Sequence, residues 1–196
     1  MAMIGHQLRV FLVSTHKSLA QAIHSISPFT LGRTVFHAFH TTRILLRKQP
    51  RLAIAALNPH AGEDGLFGTE EKKIIKPLLV RISAWLSIDL PPLLPADSVF
   101  YQAVREKKFD AIICLYHDQG LIPFKLLHFH NGANLTVGLP FVRTAPDHGT
   151  AFDIAGKNIA RPDSTLAAIR LALRLAAHWH KLPDLPTRLK KCIPSP

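Results

Sequence analysis

Apolar runs of strand length alternate along the chain with segments whose apolar residues recur at helical spacing. RVFLV (9–13), RLAIAAL (51–57), DAIICL (110–115) and ANLTVG (133–138) have the length and composition of strands. Between them the spacing predicts helices over 17–26, 31–47, 69–86, 96–107 and 164–180, the last opening at Asp163 or Ser164 as its N-cap. Such an alternation predicts an α/β architecture with substantially parallel strands. There is no internal repeat, and the proline-containing tail over 182–196 is expected to be loosely ordered. In open α/β sheets ligands gather beyond the carboxyl ends of the strands, so the loops that follow strands are where chemistry is sought.

Three of those loops carry a histidine. His16 follows RVFLVST, His60 follows LAIAALNP and His117 follows AIICLY. Three neutral imidazoles suit a divalent metal and leave coordination positions for water or substrate. The chain has 12 histidines, so loop capping and hydrogen bonding are the competing reading of these three. His128 with His130, two apart on what reads as one strand face, and His178 with His180 at a helix end lack a third ligand and read as structural or surface pairs. Asp118, beside His117, either orients that imidazole or caps a turn. Asp147 and His148 raise the possibility of an acid/base pair, and no G-x-S-x-G elbow accompanies them.

The segment NPHAGEDGLFGTEE sets Gly62, Gly65 and Gly68 between a strand and a helix, a spacing that permits tight turns and close backbone approach. It matches neither the Walker loop nor G-x-G-x-x-G. Glu70 and Glu71 fall in the first helical turn, where negative charge suits the helix dipole. Further on, Lys125, Asn134 and Arg143 follow one another at nine-residue intervals. Lys and Arg meet phosphate or carboxylate, and Asn orients a hydroxyl or amine; three unrelated surface residues would give the same spacing.

Composition narrows the class. With 196 residues and 47% hydrophobic content the chain can bury a sizeable core. The run over 166–179 is broken by Arg170 and Arg174, so it is too short for a membrane span. Cys114 and Cys192 lie far apart, which argues against a structural disulfide and for a reducing cytoplasm. The net charge of +11 is uneven, because residues 1–62 hold seven Lys/Arg and no acid. A transit peptide or a nucleic-acid footprint would look like this, but the basic residues are scattered and no RNA-binding aromatic motif accompanies them. A solvated face with bound anionic ligands fits better.

The stretches LNPHAGEDGLFG, LPADSVF, FDAIICLYHDQGLIPFK and NLTVGLPFVRTAPDHGTAFDIAGK, together with VSTH at 13–16, resemble in the same order the signature blocks of the 4-hydroxythreonine-4-phosphate dehydrogenases. The last block is also similar to the H-G-[ST]-A segment of isocitrate and isopropylmalate dehydrogenases. The resemblance implies an α/β, isocitrate/isopropylmalate dehydrogenase-like three-layer fold. It implies a divalent metal (zinc, magnesium or cobalt) on His16, His60 and His117, and substrate contacts from Lys125, Asn134 and Arg143. NAD or NADP is expected near His148, Gly149, Thr150, Ala151 and Asp153. A cytoplasmic homodimer is implied, with the metal site at the subunit interface and neither nucleic acid nor membrane as partner. The implied reaction is oxidation of the C3 hydroxyl of 4-phosphooxy-L-threonine, with decarboxylation of the 3-keto acid to 3-amino-2-oxopropyl phosphate, in pyridoxal phosphate biosynthesis. Related substrates are phosphothreonate and dihydrodiol carboxylates.

The departures set further expectations. Relatives of this kind run past three hundred residues, so the resemblance implies a chain truncated at its N-terminus. The division would be a metal-binding and dimerisation domain over 1–135 and an incomplete return segment of the nucleotide domain over 136–196. On that expectation the missing part would be encoded separately, or would be lost to leave an inactive remnant that retains metal binding or dimerisation. Ala56 stands where glycine usually precedes Leu-Asn-Pro-His, Pro91 and Pro92 disturb a usual Gly-Pro-Leu-Pro-Ala-Asp approach, and Asn158 replaces a glycine.

Overall fold

A computed structural model describes residues 1–89, 93–179 and 182–192. Pro91, Pro92 and His180 lie outside the described residues. Six strands form one sheet in the order β3-β4-β2-β1-β5-β6: β1 (Ala2–Ile4), β2 (Arg9–Leu12), β3 (Leu52–Ile54), β4 (Ala111–Cys114), β5 (Ala133–Thr136) and β6 (Arg143–Pro146). β2 and β3 flank β4 in parallel, whereas β1 pairs antiparallel with both β2 and β5, and β6 pairs antiparallel with β5.

The sheet is therefore α/β as expected but mixed rather than substantially parallel. Parallel neighbours need a crossover of about a dozen residues or more. Only four residues join β1 to β2, closed by the Gly5 N–H donating to the Leu8 carbonyl at 2.9 Å, and only six join β5 to β6. Both connections are too short for anything but a hairpin. β1 and β6 escaped the sequence pattern because three residues show no period and Arg143–Pro146 ends in proline.

Strand alternation divides the core between the two faces. Ala2, Phe11, Ile54, Ile113 and Leu135 point to one face, where α2 (Pro28–Leu46), α3 (Lys76–Leu86) and α6 (Asp163–Trp179) pack. Met3, Val10, Leu12, Ile112 and Cys114 point to the other, covered by α4 (Ala96–Val104) and α5 (His117–His128). Short α1 (Leu19–His24) and α7 (Thr187–Lys190) complete the set, with Leu189 of α7 buried against Gly32 of α2. Capping boxes start α1 (Ser18 with Gln21) and α2 (Ser27 with Thr30).

α5 is the one long helix that the sequence pattern missed. HDQGLIPFKLLH contains Gly120 and Pro123, both poor helix formers. The glycine is required by packing: a Cβ there would stand 2.9 Å from Leu12 Cδ2 and 3.0 Å from Cys114 Sγ. His117 consequently opens a helix rather than sitting in a loop. His128 ends the same helix and is not on a strand; its ring is buried, accepts from the Leu8 N–H at 3.3 Å, and bonds Asn131 Oδ1 through Nδ1 at 2.8 Å. Both cysteines are free, and burial raises the Cys114 thiol far above its ordinary range. No described helix is long and apolar enough to cross a membrane.

Candidate active site at the carboxyl ends of the strands

β2, β3 and β4 point the same way, and two antiparallel steps through β1 give β5 that direction too. Their carboxyl ends deliver His16, His60, His117 and Thr136 to one end of the sheet, and antiparallel β6 begins there with Arg143.

His16 and His117 come together, their ring centroids 5.5 Å apart and inclined at 42°. They line a cleft of about 420 Å³ with Thr15, Lys17, Ser18 and Tyr116. Asp118 Oδ1 lies 2.7 Å from His117 Nδ1. An ionised carboxylate only accepts, so Nδ1 carries the proton and the Nε2 lone pair is left for an electrophile. Of the two roles open to Asp118, orientation of the imidazole is the one its geometry performs.

His60 stands apart. Among the described residues no group of three or more His, Cys, Asp or Glu side chains is disposed around one ion. His60 sits in the segment Pro59–Gly65, where His60, Ala61, Gly62, Glu63 and Asp64 all have positive φ, between 40° and 80°. A left-handed turn costs roughly 1–2 kcal/mol for each non-glycine residue in it, so something must hold it. Glu71, itself buried, accepts from the Asn58 backbone N–H at 2.6 Å and from Asn58 Nδ2 at 2.9 Å, while Glu70 accepts from Asn58 Nδ2 at 2.8 Å. The two glutamates are structural, as expected, but they act as a clamp on the His60 loop rather than through the helix dipole. A bond from its own backbone N–H, and then the one from Asn58, hold the Glu70 carboxyl below its usual range.

Lys125, Asn134 and Arg143 share the α5 side of the sheet. Asn134 and Thr136 alternate with buried Ala133 and Leu135, and Arg143 pairs with Thr136 across the ladder. α5 packs chiefly over β2 and β4, and with Asn134 and Thr136 half-buried and Arg143 exposed these side chains form a polar shelf beside it. Arg143 Nη1 donates to Thr136 Oγ1 at 2.8 Å, and Asn134 Nδ2 approaches Met1 Sδ at 3.4 Å. Lys125 Nζ donates to the Asp147 carbonyl at 3.2 Å and lies 3.5 Å from its Oδ1. Thr136 was overlooked in the sequence, although its i, i+2 relation to Asn134 on a strand signals a shared face.

Asp147 belongs with Lys125 rather than with His148, whose Nδ1 turns to the Gly149 carbonyl at 3.0 Å. The Asp147 N–H donates to Ser164 Oγ at 2.7 Å, and that hydroxyl donates to the Gly132 carbonyl at 2.7 Å. Burial pushes the Asp147 carboxyl up, the Lys125 charge opposes the rise, and Oδ2 is buried without a hydrogen-bond partner. The His148–Asp153 loop is exposed, with open space around Gly149 and Ala151 at φ 52°. Asn158 takes φ 55°, the left-handed conformation a glycine adopts freely and asparagine tolerates.

The model of the family described as pyridoxal phosphate biosynthetic protein PdxA matches residues 1–172. A 4-hydroxythreonine-4-phosphate dehydrogenase of Maricaulis maris is 49% identical over 181 residues, covering 90% of this chain and 52% of that protein. A D-threonate 4-phosphate dehydrogenase of Bordetella bronchiseptica is 47% identical over 176 residues, covering 89% and 49%. The crystal structure of a 4-hydroxythreonine-4-phosphate dehydrogenase from Klebsiella pneumoniae superposes with a TM-score of 0.79 at 41% identity, covering 89% of this chain and 53% of that one. The chain thus spans about half the length of the curated relatives it matches.

Proposed function

Because the chain belongs to the PdxA family, we propose that it serves the NAD-dependent oxidation of 4-phosphooxy-L-threonine at its C3 hydroxyl, the keto acid then losing carbon dioxide to give 3-amino-2-oxopropyl phosphate. The observation that carries the proposal is one of placement. Paired imidazoles and a shelf of cationic and amide donors occupy the same end of one sheet.

The donor set fits a divalent cation as half of a site. His117 presents Nε2 from a tautomer fixed by Asp118, His16 makes no hydrogen bond to the described residues, and both face the cleft. His60 would supply the third imidazole, from a second copy of the chain. Such a metal polarises a hydroxyl and stabilises the alkoxide. Lys125, Asn134 and Arg143 are all donors, so the shelf fits the phosphate and carboxylate of the substrate. Asp147 steers the Lys125 ammonium. The exposed loop bearing His148, Gly149, Thr150, Ala151 and Asp153 is assigned to NAD or NADP on its similarity to the H-G-[ST]-A segment; no cradle in the fold speaks for it independently.

On the same reading residues 1–135 carry metal binding and dimerisation, and residues 136–196 return to the nucleotide domain of an isocitrate dehydrogenase-like fold. The apolar stripe of Ile122 and Leu126 on α5 with Phe129 at its C-cap, exposed at 62%, 83% and 64%, supports a homodimer contact. The Bordetella relative favours D-threonate 4-phosphate as a second substrate, because the donors suit either anion.

Zinc titration tests the metal assignment. Wild-type chain is expected to bind zinc, and His117→Ala to weaken it about tenfold or more. Sedimentation should show dimers under the same conditions, and NADH formation with each phosphorylated acid ranks the substrates. Zinc binding indifferent to both His16→Ala and His117→Ala would sink the reading.

A further inference from the structure

At the opposite end of the sheet a second pocket gathers positive charge. It has a volume of about 430 Å³ and lies between the β1–β2 turn, the end of α2 and the first half of α6. Arg9 reaches it from β2 on the Phe11 side, and Arg170 and Arg174 project from α6 one turn apart. His6 and Asn131 complete the polar rim.

The hydrogen-bond inventory of this pocket is one-sided. Arg9 uses Nη1 on the Asp110 carbonyl at 3.1 Å, and Arg174 uses Nη2 on the Leu45 carbonyl at 3.0 Å, so most donors of both guanidiniums are unspent. Arg170 makes no hydrogen bond or ion pair to the described residues. Asn131 Oδ1 is taken by His128 Nδ1 at 2.8 Å, which leaves the Asn131 amide hydrogens free. The one acid on the rim, Asp163, is already 3.0 Å from Arg161 Nε. Burial, above all, and then the nearby Arg174 charge lower the Arg9 pKa against the opposing pull of Asp110. Guanidiniums do not discharge in proteins, so an anion in the pocket would ease the crowding. Beside the charges, Ile4, Leu166 and Leu171 give the pocket an apolar wall.

The geometry points to a binding site for a small, multiply charged organic phosphate, held by Arg9, Arg170 and Arg174 at the amino ends of the parallel strands. Planar guanidiniums meet phosphate oxygens in pairs, and the apolar wall takes the organic part. This site is separate from the Lys125–Arg143 shelf, which stands on the other face of the sheet.

Calorimetric titration of the whole chain with inorganic pyrophosphate at low ionic strength tests it. Binding is expected, weakened about tenfold by Arg170→Gln, in keeping with one charge-assisted contact, and lost in Arg170→Gln/Arg174→Gln. The component that Arg170→Gln weakens should persist in Lys125→Ala/Arg143→Ala, which removes the other cluster. Because Arg170 is exposed and unbonded, its single substitution should leave the melting temperature unchanged. Pyrophosphate binding insensitive to Arg170→Gln, or lost only in the Lys125/Arg143 variant, overturns the assignment. So does single-stranded RNA that binds through Arg170 and is not displaced by pyrophosphate, since the rim is then a nucleic-acid surface.

Discussion

The β3-β4-β2 half of the sheet and its β1-β5-β6 half are built on different terms. In the first, helices cover both faces, and Ile54, Ile112 and Ile113 are wholly buried. In the second, α6 covers β5 and β6 from one side only, and the other side carries Asn134, Thr136 and Arg143 into the open. The covered half supplies rigidity, and the uncovered face is where polar side chains remain free to meet a ligand. The two histidines that pair, His16 and His117, spring from the ends of β2 and β4 in the rigid half.

Stability should respond to that difference. Ile113→Ala, in the doubly covered half, is expected to cost about 2–4 kcal/mol through lost burial and a residual cavity, read from urea midpoints. Thr136→Ala on the open shelf should cost less than about 1 kcal/mol, the scale of one exposed side-chain hydrogen bond. Comparable losses at the two positions would mean that the shelf is packed after all.

The same contrast decided what the sequence could tell. RVFLV, RLAIAAL and DAIICL belong to strands buried on both faces, which read as plain apolar runs. β1 (Ala2–Ile4) is also buried, and β6 (Arg143–Pro146) lies on the half-open side, but three or four residues carry too little pattern to register. α5 stayed hidden because Gly120 and Pro123, one of them demanded by contact with Leu12 and Cys114, contradict helix propensity. At the site, His16 and His117 were legible from their places after strands. The clamp of Glu71 on Asn58 was not, since it joins residues across a turn whose left-handed backbone no local propensity announces.

That clamp offers the next test. Glu71→Ala leaves the Asn58 backbone N–H without its acceptor, and the Asn58 amide with Glu70 alone, beneath five residues of positive φ. The expected loss is about 2–3 kcal/mol, with faster amide exchange over 59–65 than anywhere in β4. If exchange there is unchanged, the left-handed turn is held by something else and His60 does not depend on the glutamates.

Acid acts on two histidines of α2. Burial first, then the nearby Arg33 charge, the N-terminus and His40, depress His37 to about 4; burial and Arg43 depress His40 to about 4. A group whose folded pKa lies below its unfolded value near 6.5 takes up protons more readily when unfolded. Its contribution is complete above pH 6.5 and is lost as pH falls from there toward 4. For His37, 9% exposed with its Nε2 unpartnered, the loss is on the order of 2 kcal/mol. His37→Leu should flatten the fall in urea midpoint between pH 7 and pH 4.5. A wild-type profile that does not fall would mean that His37 is hydrated in solution.

The two halves are joined on the α5 side by Lys125, whose ammonium reaches from the covered half to Asp147 at the end of β6. Its Nζ is partly exposed, so the pair is worth less than about 1 kcal/mol in a simple melt. The Asp147 carboxyl nevertheless depends on it, being buried with Oδ2 unpartnered and a pKa already raised by burial. A carboxyl whose folded pKa exceeds its unfolded value favours the fold at low pH, and that contribution is lost as pH rises through the folded pKa. Removing the lysine deepens the loss only where the carboxylate is charged. Lys125→Met should therefore destabilise the chain at pH 7 and have a smaller effect at the lowest pH at which it still folds. An equal effect at both would show that Lys125 contributes packing of its aliphatic stem rather than charge, and that the open shelf is not electrostatically tied to the rigid half.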